Sequence, residues 1–224
     1  MLQKNLRFIG NLLIVSVLSV IIVNISSLPV YIYLITANWF TRLVSFSLYA
    51  VIIVFLYNIY KTTAELRQFD FRPWRTRLNK RALLLMVIGA VIIVALAFGY
   101  AKLTAVWHIT ESGNERALDL LLRKNPVAMT LDAVIFGPIA EELSFRGFFF
   151  SYVLSDQYLD REYQAATIVI NGLLFGYLHS GNSLVPLAYY TLFGMVLGTT
   201  YLLSKRDIGT HMLANLGILW LVPS

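Results

Sequence analysis

The chain has 224 residues, of which 58% are apolar and 13% charged, with no cysteine and a formal charge of +6; its mean hydropathy is +0.70. A soluble domain carries about 25% charged residues, so this is the composition of a membrane protein, and too little length remains beside the hydrophobic segments for a soluble catalytic domain. Lack of cysteine excludes disulfides, thiolate metal ligands and a cysteine nucleophile, while the positive balance reads as membrane topology and gives no reason to invoke nucleic acid.

About 20 mostly apolar residues cross a bilayer core, and the uncharged runs can be taken in chain order. Residues 8–25 form the first expected span, preceded by Lys4 and Arg7. It lacks a small-residue cleavage site and reads as a retained helix rather than a signal peptide. A turn near Ser26 to Pro29 should lead into a second helix that ends near Tyr60, with Arg42 close to the outer interface. Residues 61–81 hold seven of the 18 basic residues, interleaved with Phe69, Phe71 and Trp74, as expected of a cytoplasmic loop against anionic lipid. Residues 82–101 form a third span, 102–126 an outer loop, and 127–153 a fourth span. The stretch 164–204 carries no charge and is interrupted at Ser180 to Ser183, giving two helices. A last helix is expected over about 208–222. The reading is an all-α, polytopic membrane helix bundle of about seven transmembrane helices, one integral membrane domain over 1–224. Twelve Lys and Arg then lie on the inner side against five outside, which puts the N terminus in the cytoplasm of a multi-pass cell-membrane protein.

The fourth span contains Asp132, Glu141, Glu142 and Arg146. Ionisable groups at mid-bilayer cost at least about 2.5–3.5 kcal/mol each, so they persist where they pair, line a cavity or carry function. Glu142 and Arg146 are one turn apart and can form a structural ion pair. Glu141 points about 100° away and lacks that partner. Pro138 removes a backbone donor one turn earlier, which should bend the helix, either to admit water beside Glu141 or merely as a kink in a packed helix. Asp132, nine residues before Glu141, should point to the opposite side of the helix and hydrogen-bond a neighbouring one. Phe148, Phe149 and Phe150 are expected to meet lipid. His179 follows Phe175 by four residues, and His211 precedes Asn215 by four, on two further helices. A Glu, two His and an Asn on three helices are poorly explained by packing alone.

Together EELSFR (141–146), FGYLH (175–179) and HMLAN (211–215) resemble the CAAX protease and bacteriocin-processing family, also called Abi, whose pattern is EExxxR, FxxxH and HxxxN in that order. The resemblance covers about residue 127 to the C terminus, the expected catalytic core. It implies an all-helical intramembrane endopeptidase that hydrolyses a peptide bond in a membrane-associated protein or peptide. By that analogy Glu141 activates water with help from His179, His211 and Asn215 stabilise the oxyanion, and Glu142 and Arg146 are structural.

Both a metal-free mechanism and a zinc site of Glu141, His179 and His211 fit this residue set, although no HExxH is present. The alternative function is a bacteriocin immunity or membrane-partner binding protein that needs no hydrolysis. A proton-coupled transporter would also use buried Glu and His, but the chain is short and lacks two matching halves. The spacings Gly172 to Gly176 and Gly194 to Gly198 predict close helix packing.

Overall fold

The computed structural model describes residues 2–35, 38–69, 80–108, 119–123, 126–154, 160–180 and 183–204, and every regular element among them is helical. Helix α1 (Leu2–Ser26) stops where three polar side chains turn back onto its last carbonyls. Asn24 Nδ2 donates to Val20 O at 2.8 Å, Ser26 Oγ to Ile22 O at 2.9 Å and Ser27 Oγ to Val23 O at 3.2 Å. This is the expected turn. Pro29 then sits in the first turn of α2 (Leu28–Ile35), where no intrahelical donor is needed.

The second helix is not the single element expected. A new helix, α3 (Trp39–Leu66), begins after Asn38, whose side chain accepts the Thr41 N–H at 2.8 Å as an N-cap. It also runs past Tyr60, so residues 61–66, expected in the loop, are helical. Likewise α4 (Lys80–Trp107) outlasts the expected span at its C-terminal end. Each of these helices has 28 residues, about 42 Å at 1.5 Å per residue, which matches a bilayer with its headgroup layers rather than the hydrocarbon core alone. Hydropathy marks the core crossing, and the helices continue through the interfaces.

Residues 126–153 form one unbroken helical run, here α5, in which α-helical and π-helical turns alternate. The α segments are Pro126–Leu131, Gly137–Glu141 and Phe149–Val153, and the π segments are Asp132–Phe136 and Glu142–Phe148. Two helices follow, α6 (Arg161–Ser180) and α7 (Leu184–Leu203), divided where the sequence places a turn. Among the described residues four stretches are long and apolar enough to cross a membrane: Leu2–Ile32, Trp39–Leu66, Leu83–Trp107 and Leu184–Leu203. The expected helix over 208–222 lies outside the described residues.

Two compact units divide the chain. The first comprises residues 1–71 and 119–159, and in it α1 and α3 pack on the C-terminal half of α5. Phe148, Phe149 and Phe150 are buried there, not turned to lipid as expected, because neighbouring helices cover this part of α5. Ser45 Oγ ties α3 to α2 by donating to Pro29 O at 2.7 Å. At the end of α3 the chain leaves through Gln68 at φ 55°, Phe69 N–H returns to Ala64 O at 2.9 Å, and the Arg67 guanidinium lies 4.4 Å from the Tyr152 ring centre.

The second unit comprises residues 72–118 and 160–224 and contains α4, α6 and α7. Ile93 of α4 and Leu197 of α7 form a buried core, with Ala90, Phe193 and Val196 against it. Glycines bring α6 and α7 into backbone contact, as the sequence spacing predicts. A Cβ on Gly176 would lie 2.8 Å from Thr191 N and 2.9 Å from Leu187 O, and one on Gly194 would lie 3.0 Å from Gly172 Cα. These neighbours are main chain and cannot swing away.

Gly176→Ala should therefore destabilise the protein by about 1–3 kcal/mol through overpacking. Gly99→Ala meets nothing within 4 Å and should be neutral or stabilising by up to about 1 kcal/mol through helix propensity. Thermal unfolding of the two variants in the same detergent checks the contrast, and equal midpoints would contradict it.

Candidate active site

The acidic part of α5 starts with Pro138, which has no N–H to give. The turn before it is a π-turn, closed by the Gly137 N–H donating to Asp132 O. A Cβ at position 137 would come 3.0 Å from that oxygen, so glycine suits the close approach. The proline is thus accommodated by one extra residue in the turn.

That extra residue changes which way Asp132 faces. Nine α-helical residues would place it about 180° from Glu141, but a π-turn takes back about one residue's rotation and leaves about 80°. By this rotation Asp132 and Glu141 lie nearer to one side of the helix than an unbroken α-helix would put them. The expected hydrogen bond to a neighbouring helix is present, with the Tyr49 hydroxyl of α3 donating to Asp132 Oδ1. Tyr49 also stacks on Phe136, with ring centres 4.2 Å apart and planes 12° apart. No sequence signal singles out Tyr49 among the aromatic residues of α3.

The second π segment follows Glu141 directly. Ser144 Oγ donates to Ala140 O at 2.7 Å, drawing that carbonyl toward a side chain. All seven residues Glu142 to Phe148 are buried. Within this segment Arg146 Nη1 lies 3.5 Å from Glu142 Oε1, with both side chains wholly buried, and the guanidinium carbon is 5.8 Å from the Phe145 ring centre. Glu141, one residue earlier, is half-buried. The two adjacent glutamates therefore have different surroundings, one closed and held beside a cation, the other partly open.

His179 stands near the end of α6 in the second unit. Its Nδ1 lies 2.7 Å from Phe175 O. A carbonyl can only accept, so Nδ1 carries the proton and the lone pair of the neutral ring is on Nε2. The ring stacks on Phe175, with centres 4.1 Å apart and planes 20° apart, and Tyr190 of α7 is 5.3 Å away. The four-residue spacing of FxxxH thus has a physical meaning: Phe175 supplies both the carbonyl that sets the tautomer and the face on which the imidazole lies. Tyr190 was not legible as a neighbour of His179.

Glu141 belongs to the first unit and His179 to the second, while His211 and Asn215 lie outside the described residues. The expected zinc set of Glu141, His179 and His211 includes one of those undescribed positions. Among the described residues no three His, Asp or Glu side chains gather as metal ligands. Taken alone, the half-buried Glu141 offers one carboxylate and His179 one nitrogen lone pair, donors suited to a metal or to a proton.

Among the described residues, four long apolar stretches and an ion-paired acidic helix fit an all-helical, multi-pass membrane protein. Residues 123–217 match the family model described as Type II CAAX prenyl endopeptidase Rce1-like. The matched segment contains EELSFR, FGYLH and HMLAN, so the match agrees with the resemblance to the CAAX protease family that these motifs carry. No curated protein and no solved structure matches the chain.

Removing one member of a buried ion pair leaves a charge without its counter-ion, at a cost of about 3–5 kcal/mol. Arg146→Ala should accordingly give a much lower folded yield, whereas Glu142→Leu with Arg146→Met should recover most of it. Size-exclusion profiles and thermal midpoints in detergent measure this, and a normal Arg146→Ala protein would contradict it.

Proposed function

We propose that the chain is an intramembrane endopeptidase that hydrolyses a peptide bond in a membrane-associated protein or peptide. The observation that carries the reading is the family match over 123–217, because it contains all three motifs. The contrast between closed Glu142 and half-buried Glu141 supports a division into a structural and a chemical carboxylate.

In this reading Glu141 takes a proton from water as the oxygen attacks the scissile carbonyl carbon. His179 accepts a hydrogen bond from the same water at Nε2, the nitrogen left with a lone pair when Nδ1 donates to Phe175 O. His211 and Asn215 donate to the oxygen that becomes negative in the tetrahedral intermediate. Glu141, now protonated, returns its proton to the departing amine. If the site holds zinc, Glu141, His179 and His211 are the ligands, and the ion supplies Lewis-acid polarisation and a more acidic water. The lipid bilayer is the working environment. The excess of Lys and Arg around 61–81 and near residue 4 supports a cytoplasmic N terminus.

The test uses purified protein with a quenched fluorescent peptide ending in a CAAX sequence, offered with and without an S-farnesyl group. Glu141→Gln keeps size and polarity but cannot accept the water proton, so turnover should fall at least about a hundredfold while peptide binding changes little. A metal chelator added to wild type separates the metal-dependent from the metal-free mechanism. Cleavage undiminished in Glu141→Gln would remove this assignment. Binding without cleavage by wild type would favour the partner-binding or immunity function.

A further inference from the structure

Helix α3 holds the first π-turn of α5 at both ends. The Tyr49 hydroxyl donates to Asp132, its first residue, and the Tyr49 ring stacks on Phe136, its last. Phe46, one turn earlier on α3, meets the same Phe136 ring with centres 6.1 Å apart. Stacking alone would join two helices in lipid, so packing does not require a carboxylate in the joint. A carboxylate is also among the costlier groups to place in a span.

The π-turn gives that carboxylate a use. In an α-helix the nine-residue separation of Asp132 and Glu141 leaves the two side chains opposed, and the π-turn brings them toward one side. Should the turn revert to α-helical pairing, the segment Gly137–Glu141 would rotate by about 100° relative to Asp132. The buried block from Glu142 onward resists that rotation at its other end. Glu141 is the last residue between the two, and its direction depends on the turn being held.

We propose that Tyr49 and Asp132 are positioning residues for Glu141, forming a clasp from α3 that maintains the π-turn and so aims the Glu141 carboxylate. The catalytic consequence rests on reading Glu141 as the base, while the mechanical part does not. Tyr49→Phe keeps the ring on Phe136 and removes the donor. Asp132→Asn keeps an acceptor for the phenol, and Asp132→Ala removes it.

On the peptide that wild type cleaves, kcat should fall about tenfold or more in Tyr49→Phe and in Asp132→Ala, with KM within about twofold. Asp132→Asn should stay within about threefold of wild type, and the Tyr49→Phe, Asp132→Ala double variant should be no slower than the slower single one. Asn58→Ala, on an exposed part of α3, serves as the control. A Tyr49→Phe enzyme with unchanged kcat would overturn the clasp, as would an Asp132→Asn enzyme as slow as Asp132→Ala. A readout independent of turnover uses the lack of native cysteine. Glu141→Cys should react with a water-soluble maleimide at a rate that Tyr49→Phe changes about fivefold or more, with Asn58→Ala leaving it unchanged. An unaltered rate overturns the inference. An altered rate in a protein that cleaves no peptide supports the clasp and removes the peptidase function instead.

Discussion

A guanidinium and a carboxylate shut away from water must stand beside each other, and that requirement governs the centre of α5. Glu142 and Arg146 are both wholly buried and 3.5 Å apart. Because each is costly to bury alone, neither can turn outward or slide along the helix independently. The segment that carries them is thereby fixed against α1 and α3, and Glu141, covalently next to it, inherits a defined place. The pair sets an anchor, and the half-buried glutamate is the adjacent group with some access to its surroundings.

From that anchor the helix runs back toward Asp132 through Gly137 and Pro138. In lipid an unsatisfied backbone group is costly, so a proline cannot simply break the helix. The π-turn is the solution the chain adopts, since it keeps hydrogen bonding continuous through the Gly137 N–H and adds one residue to the turn. The same extra residue changes the relation between Asp132 and Glu141. Backbone satisfaction and side-chain direction are therefore two effects of one local rearrangement.

How much of this the sequence showed depended on the kind of signal. Apolar runs located four of the expected spans, because length and hydropathy report the hydrocarbon thickness directly. The Glu142 and Arg146 spacing showed the ion pair, because four residues bring side chains together in both α and π geometry. The π-turns were not legible, since no periodicity distinguishes i−5 from i−4 pairing within a single turn, and α-helical arithmetic for Asp132 leaves out the rotation they take back. The break before α3 had a visible sign in Asn38 three residues ahead of Thr41, masked by the apolar residues on either side. Phe148 to Phe150 were read as lipid-facing because three adjacent phenylalanines have no polar face to oppose them. In a membrane, however, it is the charged helix that is enclosed, and its apolar residues become core along with it. At the candidate site, the motifs marked Glu141 and His179 by residue type, but Tyr49 and Tyr190 come from other helices and carry no local mark.

The glycine contacts between α6 and α7 give the second unit a mechanical character. Where side chains separate two helices, rotamer changes cushion small displacements. At Gly172, Gly176 and Gly194 that cushion is thinner, because main-chain atoms of the facing helix come within 3.0 Å of where a Cβ would stand. α6 brings His179 and α7 brings Tyr190, and the two rings are neighbours in an aromatic group that includes Phe175 and Phe193. Histidine and tyrosine are thus mounted on a stiff double rail. A displacement of α6 is therefore passed on to α7, and the backbones that carry His179 and Tyr190 keep their spacing when either helix shifts.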